Sequence, residues 1–273
     1  MKLFFQKFGL GPPIIILHGL YGSSDNWVTI ARNLANQFTV YLVDQRNHGK
    51  STHHPVHSYQ SMIADLDEFM VSEGIEKSIL IGHSMGGKTA MLFAASHPDK
   101  VNGLIVVDIG PGGYANIDSL SPMVIAHLNI MSSMLSVDFS KYTTRSEIES
   151  KLAETILDVS VRQFIMKNVQ RNADNSFSWK FNLDALSNAL PEIMGPVKLE
   201  KILDDNVNIG FPVFFIKGEH SGYISNEQQT LIYKYFPSAK IEVVQKSGHW
   251  VHAEQPVEFL EKLKGILNAI QLQ

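Results

Sequence analysis

The stretch ILIGHSMGG, residues 79–87, decides the fold of this chain. Its apolar start predicts a buried strand, and an amphipathic stretch follows at 85–97. Between the two, residues 82–86 read G-H-S-M-G, the pattern G-x-S-x-G. A serine on a sharp turn from strand to helix presents its hydroxyl at the carboxyl end of a sheet, and the two glycines avoid collisions within the turn. Ser84 is therefore the candidate nucleophile.

Strand-like and helix-like stretches alternate on both sides of this motif. Strands are predicted at 2–8, 13–17, 38–43, 78–82, 102–108, 212–217 and 240–245. Helices are predicted at 26–36, 58–73, 85–97 and 256–270. Such alternation is the pattern of a mostly parallel sheet covered by helices. The fold class is therefore α/β, and we expect the last four strands to be successive neighbours in the sheet.

The alternation breaks between residues 112 and 206. Apolar residues recur there at helical spacing: Val124, Leu128, Met131, Leu135, Ile148, Leu152, Ile156, Leu157, Val161, Ile165 and Val169. We interpret 112–206 (hereafter the insertion) as a mostly helical lid on a core made of 1–111 and 207–273. The alternative is that these helices simply cover the sheet. Some of the apolar residues are also candidates for an acyl pocket.

Composition narrows the classes of function. The chain has 273 residues, 44% of them hydrophobic, and a net charge of −4, which gives no basic footprint for nucleic acid or an anionic membrane. It has no cysteine, which excludes disulfides, a thiol nucleophile and thiolate metal sites. The apolar run near the start is too short for a signal peptide, and no stretch approaches a membrane span. We expect a cytoplasmic protein that is a monomer or a weak homodimer.

Two loops supply partners for Ser84. HGLYGS, residues 18–23, follows a strand, and the N–H of Leu20 or its neighbour is the expected second oxyanion donor beside the N–H of Met85. The alternative is a plain turn after the strand. SGHWVHAEQP, residues 247–256, precedes the last helix and supplies a general base. His249 is favoured over His252 because it follows a flexible Ser-Gly pair.

Taken together, HGLYGS, DQRNHGKS, GHSMGG and SGHW occur in the order typical of α/β-hydrolases, and the chain resembles that superfamily from about residue 12 onward. GHSMGGKTAM followed by VDIGP more narrowly resembles small bacterial esterases of the YbfF type and their mitochondrial abhydrolase relatives. The resemblance implies an α/β-hydrolase fold with a helical lid between the sixth and seventh family strands. It also implies hydrolysis of esters or thioesters without a cofactor.

The acid of the expected triad is out of its usual place. Most of the superfamily carries it in a G-x-x-D pattern, and here Ser221 occupies the aspartate position. Three carboxylates are candidates to replace it: Glu219, two residues early, Glu254, close to the histidine, and Asp108, at the end of an apolar strand. A charge ending a buried strand is costly unless paired, and the resembling subgroup takes its acid from this strand. We predict Asp108 as the acid, Glu219 as the alternative, and Ser221 as a supporting donor to the carboxylate.

Two other features suggest sites that we do not predict. Residues 44–51 end in Gly-Lys-Ser, but a phosphate-binding loop needs glycine where Asp44 stands. His53, His54 and His57 lack nearby acidic ligands, so a solvated loop is expected there and no metal.

The expected activity is that of a serine carboxylesterase or thioesterase acting through an acyl-enzyme on small to medium acyl esters or acyl-CoA. Four further residues are expected to border the substrate: His18, Gly19, His83 and Trp250. The insertion holds nine Lys and Arg against twelve Asp and Glu, so no basic cradle for CoA phosphates stands out.

Two alternatives remain. The first is an enzyme of the same fold that is a carbon–carbon bond hydrolase, a lactonase or a menaquinone-pathway-type lyase. Such an enzyme needs polar groups in the lid that bind a carboxylate of the substrate, and the candidates are Arg145, Arg162 and Arg171. A ligand-binding member without turnover is the other, and an intact set of serine, histidine and aspartate disfavours it. The serine itself excludes a haloalkane dehalogenase, whose chemistry needs an aspartate nucleophile.

Overall fold

A seven-stranded sheet lies at the centre of the computed structural model, which describes residues 1–114, 121–201 and 209–271. The strands in chain order are β1 (Phe5–Phe8), β2 (Pro13–Leu17), β3 (Thr39–Val43), β4 (Ser78–His83), β5 (Val101–Val107), β6 (Val169–Arg171), β7 (Phe177–Trp179), β8 (Val213–Gly218) and β9 (Lys240–Val244). The sheet order is β1-β3-β2-β4-β5-β8-β9, and only the β1–β3 pair within it is antiparallel. The α/β class, the mostly parallel sheet and all seven predicted strands are confirmed.

Helices connect these strands and cover the sheet. In the described residues they are α1 (Val28–Leu34), α2 (Tyr59–Ser72), α3 (Met85–Ser96), α4 (Pro122–Leu135), α5 (Arg145–Ala153), α6 (Val159–Met166), α7 (Leu183–Met194), α8 (Asn226–Tyr235), α9 (Val251–Glu254) and α10 (Pro256–Gln271). The sequence prediction omitted α8, because it begins with polar residues and buries only Gln228 and Ile232. It also missed the separate β6–β7 hairpin. Val169, expected at helical spacing, begins β6 instead, and strands this short give no readable period.

The core consists of two apolar clusters, one on each face of the sheet. Along β2, Ile14 and Ile16 pack with Trp27 and Phe259 in one cluster, whereas Ile15 belongs to the other. This alternation follows from the two-residue period of a strand, and burial on both faces explains why the strand reads as a continuous apolar run.

The insertion lies between β5 and β8 in the chain, and its described residues form α4 to α7 and the β6–β7 hairpin. Its end is fastened to the core, because Tyr59 Oη and Lys88 Nζ both donate hydrogen bonds to Ile193 O and Lys88 Nζ also donates to Gly195 O. The predicted domain boundary at 206/207 falls outside the described residues. In the described ranges, none of the helices has the length and apolarity to cross a membrane.

The strand register places the candidate residues at one edge. β4, β5 and β8 are parallel neighbours, with His83 opposite Val107 and Val107 opposite Ile216. Ser84 and Asp108 therefore follow directly at adjacent strand ends, and the loop carrying Ser221 leaves the next strand along the same edge. This confirms the predicted succession of the last four strands.

Candidate active site

Ser84 occupies a strained turn between β4 and α3. Its φ of 52° and ψ of −119° lie in a region that non-glycine residues rarely adopt. A Cβ at Gly82 would lie 2.3 Å from Gly86 O, and one at Gly86 would lie 2.4 Å from Leu17 O, so the predicted need for both glycines is confirmed. Met85 is the first residue of α3, and its N–H therefore has no acceptor within the helix.

His249 connects this serine to a buried carboxylate. Its Nε2 lies 3.0 Å from Ser84 Oγ, and its Nδ1 lies 2.8 Å from Asp108 Oδ2. Since a carboxylate only accepts, Nδ1 carries the proton and Nε2 is the acceptor for the serine hydroxyl. Tyr223 stacks on the imidazole with ring centroids 3.9 Å apart, and burial lowers the pKa of His249 to about 3. The ring is thus held neutral and oriented.

Asp108 is completely buried and receives three hydrogen bonds. Gly218 N–H donates to Oδ1 at 3.0 Å, and Ser221 Oγ and His249 Nδ1 both donate to Oδ2. Burial raises the pKa of Asp108 to about 7, and the hydrogen bonds from Ser221 and Gly218 act in the opposite direction by favouring the carboxylate. The His249 donor favours the ionised form as well.

The two other candidate acids have different partners. Glu219 Oε2 accepts a hydrogen bond from Lys246 N at 2.8 Å, and its side chain is 40% exposed. Glu254 accepts from Gly248 N at 2.7 Å and from Trp250 N at 3.0 Å, so it fastens the loop that carries the histidine. Neither carboxylate hydrogen-bonds to the imidazole.

The competing histidine, His252, points away from the serine. It is buried and stacks on Trp27 with ring centroids 4.1 Å apart. His83 and Trp250 line the cavity above Ser84, as the sequence suggested for a substrate site, and His83 Nε2 donates to His249 O at 2.9 Å.

His18 is placed differently from its expected role at the substrate. It is buried and does not line the cavity, and its Nε2 accepts a hydrogen bond from Gln45 N at 3.0 Å. Gly19 instead allows the loop to pack closely, because a Cβ there would lie 2.8 Å from His83 Nδ1. The two residues shape the loop that brings Leu20 to the cavity wall.

The cavity at the serine is small, and most of its surface is apolar. Its volume is about 20 Å³, and its described lining consists of Leu20, Tyr21, His83, Ser84, His127, Ile130, Val161, Phe164, Ile165, His249 and Trp250. Of the apolar stripes of the insertion, Val161 and Ile165 reach this cavity. Another stripe lines a separate groove of about 460 Å³ between α4 and α7; its members are Val124, Leu128, Met131 and Leu135.

The arginines of the insertion contact other parts of the insertion. Arg145 donates to the carbonyls of Met166 and Val169, and Arg162 donates to two carbonyls of the turn before α6. Arg171 lies over the ring of Phe177. None of the three lines the cavity at Ser84.

The expectation of a solvated histidine loop is wrong for one of its members. His53 and His54 are exposed, but His57 is buried, with Nε2 3.4 Å from the sulfur of Met85. Asp44 stands where the phosphate-loop pattern fails, and it accepts hydrogen bonds from Ser24 N and Lys50 N, which is a structural role within the turn.

A serine on a strained strand-to-helix turn, hydrogen-bonded to a histidine that a buried aspartate orients, defines the class of serine hydrolases. Residues 12–256 match the family described as alpha/beta hydrolase fold. The chain belongs to this family, and it is an esterase/lipase-type α/β-hydrolase.

Named relatives agree with that identification. The sn-1-specific diacylglycerol lipase ABHD11 of Danio rerio is 35% identical, covering 95% of this chain and 79% of that protein. Esterase YbfF of Escherichia coli K12 is 33% identical over 94% of this chain and 93% of its own length. Among solved structures, a marine microorganism esterase is 46% identical, with a TM-score of 0.90 over 97% of this chain and 98% of that chain.

Three polar residues of the site were not predicted from the sequence: Tyr21, His127 and Tyr223. Tyr21 lies in the HGLYGS loop beside Leu20, so its position in the motif was a usable signal. His127 reaches the site through the packing of the insertion, and Tyr223 reaches it through the loop after β8; no sequence pattern marks either residue.

Proposed function

We propose that the chain is a serine carboxylesterase in which Ser84 is the nucleophile, His249 the general base and Asp108 the acid that orients it. The observation that carries the proposal is the continuous pair of hydrogen bonds, 3.0 Å from Ser84 Oγ to His249 Nε2 and 2.8 Å from His249 Nδ1 to Asp108 Oδ2. Ser221 supports the acid by donating to the same carboxylate oxygen.

The reaction has two halves. Ser84 Oγ attacks the ester carbonyl while His249 Nε2 takes its proton, and the N–H groups of Leu20 and Met85 stabilise the oxyanion. The imidazolium then gives its proton to the departing alkoxide, leaving an acyl-serine. Water loses a proton to His249, attacks the acyl-serine and releases the acid, and the proton returns to Ser84 Oγ.

The lining favours small to medium oxygen esters over acyl-CoA. No Lys or Arg is among the described residues that line the cavity, so none there pairs with CoA phosphates. A cavity of about 20 Å³ holds roughly one water, so α4 and α6 have to move apart for an acyl ester to enter. The insertion therefore acts as a lid. A cytoplasmic location and a monomeric or weakly dimeric state stay predictions.

The alternative functions, carbon–carbon hydrolase, lactonase and lyase, need polar groups at the cavity that bind a carboxylate of the substrate. Arg145 and Arg162 already donate to backbone carbonyls, and Arg171 lies on an aromatic ring outside the cavity. This arrangement favours the esterase.

A fluorophosphonate probe followed by an activity panel tests the proposal. We expect stoichiometric labelling at Ser84 and hydrolysis of p-nitrophenyl esters, with labelling and turnover both absent in Ser84→Ala. Ser96→Ala, an exposed serine at the other end of α3, is the matched control and keeps both. Labelling of Ser84→Ala equal to that of the unaltered chain contradicts the assignment. Acyl-CoAs of varying length in the same panel show whether thioesters are also substrates.

A further inference from the structure

Two side chains that line the cavity each carry a buried polar atom that has no partner in the described chain. Tyr21 Oη and His127 Nδ1 are both buried, and among the described residues neither has a hydrogen-bond partner. Both side chains line the cavity that contains Ser84, and their ring centroids are 5.8 Å apart. Leaving buried polar groups unpaired is unfavourable, so two unpaired polar atoms beside the nucleophile are candidates to bind a polar group of a ligand.

Tyr21 Oη is a donor, and the tautomer of His127 decides the role of its Nδ1. The Tyr21 phenol carries its own proton, and burial raises its pKa above the ordinary value. His127 Nε2 lies 3.0 Å from the hydroxyl of Tyr223, which makes no other hydrogen bond in the described chain. We assign that hydroxyl as the donor to Nε2, which places the proton of the neutral imidazole on Nδ1. Burial lowers the pKa of His127 to about 4, so the ring is uncharged near neutral pH.

The charge of the cavity limits what the pair binds. None of the described residues that line it is a lysine, arginine, aspartate or glutamate. A carboxylate entering the cavity would lose its hydration without gaining a cation. A neutral oxygen, such as a hydroxyl or the carbonyl of a second ester, matches two neutral donors.

We propose that Tyr21 Oη and His127 Nδ1 form a second polar subsite that binds a neutral acceptor oxygen of the substrate beside the scissile ester. The inference rests on the proposed function and specifies its substrate class as esters that carry a hydroxyl or a further ester group. Tyr21 and His127 are specificity residues, because they contact the substrate away from the reacting carbonyl.

Matched substrate pairs test the subsite. Glycol monobutyrate against propyl butyrate places a hydroxyl or a methyl group in the alcohol part, and ethyl β-hydroxybutyrate against ethyl isovalerate does so in the acyl part. The readout is the ratio of kcat/KM values within a pair. In Tyr21→Phe we expect this ratio to fall by about 2- to 10-fold for at least one pair, the worth of one neutral hydrogen bond. Tyr233→Phe, on the exposed surface of α8, is the matched control and keeps both ratios.

Variants of His127 distinguish the roles of its two ring nitrogens. Asparagine places an amide N–H where Nδ1–H stands, whereas glutamine reaches the position of Nε2. We therefore expect His127→Asn to keep the substrate ratio and His127→Gln to lose it, with thermal unfolding showing that both variants fold. Unchanged ratios in both Tyr21→Phe and His127→Gln overturn the subsite. Retained turnover in Ser84→Ala would instead overturn the proposed function.

Discussion

Asp108→Asn removes the charge on which the proposed mechanism depends. The carboxylate is completely buried, and its Oδ2 lies 2.8 Å from His249 Nδ1. When Ser84 attacks, His249 becomes a cation next to this carboxylate. An asparagine amide carries no compensating charge, and its NH₂ group favours the imidazole tautomer in which Nε2 cannot accept the serine proton.

The expected loss follows from the geometry. Two unit charges about 4 Å apart attract by about 4 kcal/mol at an effective dielectric constant of about 20. Since about 1.4 kcal/mol corresponds to a tenfold rate, loss of the charge alone lowers kcat/KM by about 10³-fold. Disruption of the tautomer extends the expected loss toward about 10⁴-fold, as found for the equivalent change in serine proteases.

Hydrolysis of p-nitrophenyl butyrate by Asp108→Asn and Glu219→Gln measures this loss. Glu219 is partly exposed and contacts Lys246 N rather than the histidine, so its variant should stay within about twofold of the unaltered chain. Circular dichroism checks that both variants fold. A large loss in Glu219→Gln together with near-normal turnover in Asp108→Asn would refute the reasoning and make Glu219 the acid.

Three further outcomes are expected. Ser221→Ala removes one donor to Asp108 and should lower kcat by about 2- to 10-fold in the same assay, and unchanged turnover contradicts a supporting role. In the unaltered chain, kcat/KM should rise with pH as the Asp108–His249 pair loses its proton. In Asp108→Asn the midpoint of this rise should move to lower pH, because burial lowers the pKa of His249 to about 3 and the imidazolium has lost its carboxylate. A midpoint that moves to higher pH in the variant contradicts this explanation. Lys88→Met leaves Gly195 O without its donor, while Tyr59 still donates to Ile193 O. The Tm measured by calorimetry should therefore fall by about 2–8 °C. An unchanged Tm would show that the hydrogen bonds of Lys88 add no stability.

The centre of the sheet was predictable because its strands are buried on both faces. These inner strands, β2, β3, β4, β5 and β8, read as apolar runs bounded by turn residues. The observed bounds of all seven strands lie within three residues of the predicted ones, and those of β2 coincide with them. Helix α8 was not predictable in this way, since only Gln228 and Ile232 along it are buried and no apolar stripe marks it. The strands of the β6–β7 hairpin are three residues long, and a two-residue period cannot be read over so few positions.

The residues of the site also differ in how far the sequence could predict them. Ser84 and Asp108 directly follow strands, so the sheet order alone brings them to one edge, and the structure places His249 between them. The cavity wall is different, because His127 reaches Tyr223 across 96 positions of sequence. Which side of α4 faces the serine depends on how the insertion packs on the core, and local pattern does not encode that packing.

The serine at position 221 follows from the position of the acid. β5 and β8 are neighbours, Asp108 N donates to Ile216 O at 2.8 Å, and the loop with Ser221 folds back over the end of β5. A second carboxylate at 221 would place a negative charge beside the buried one of Asp108, and one of the two would have to take up a proton. A hydroxyl avoids that repulsion: it accepts from Tyr223 N at 3.2 Å and donates to Asp108 Oδ2, so each of its groups is satisfied. With the proposed acid, Asp108, at the end of β5, the next loop has to supply a donor rather than a charge.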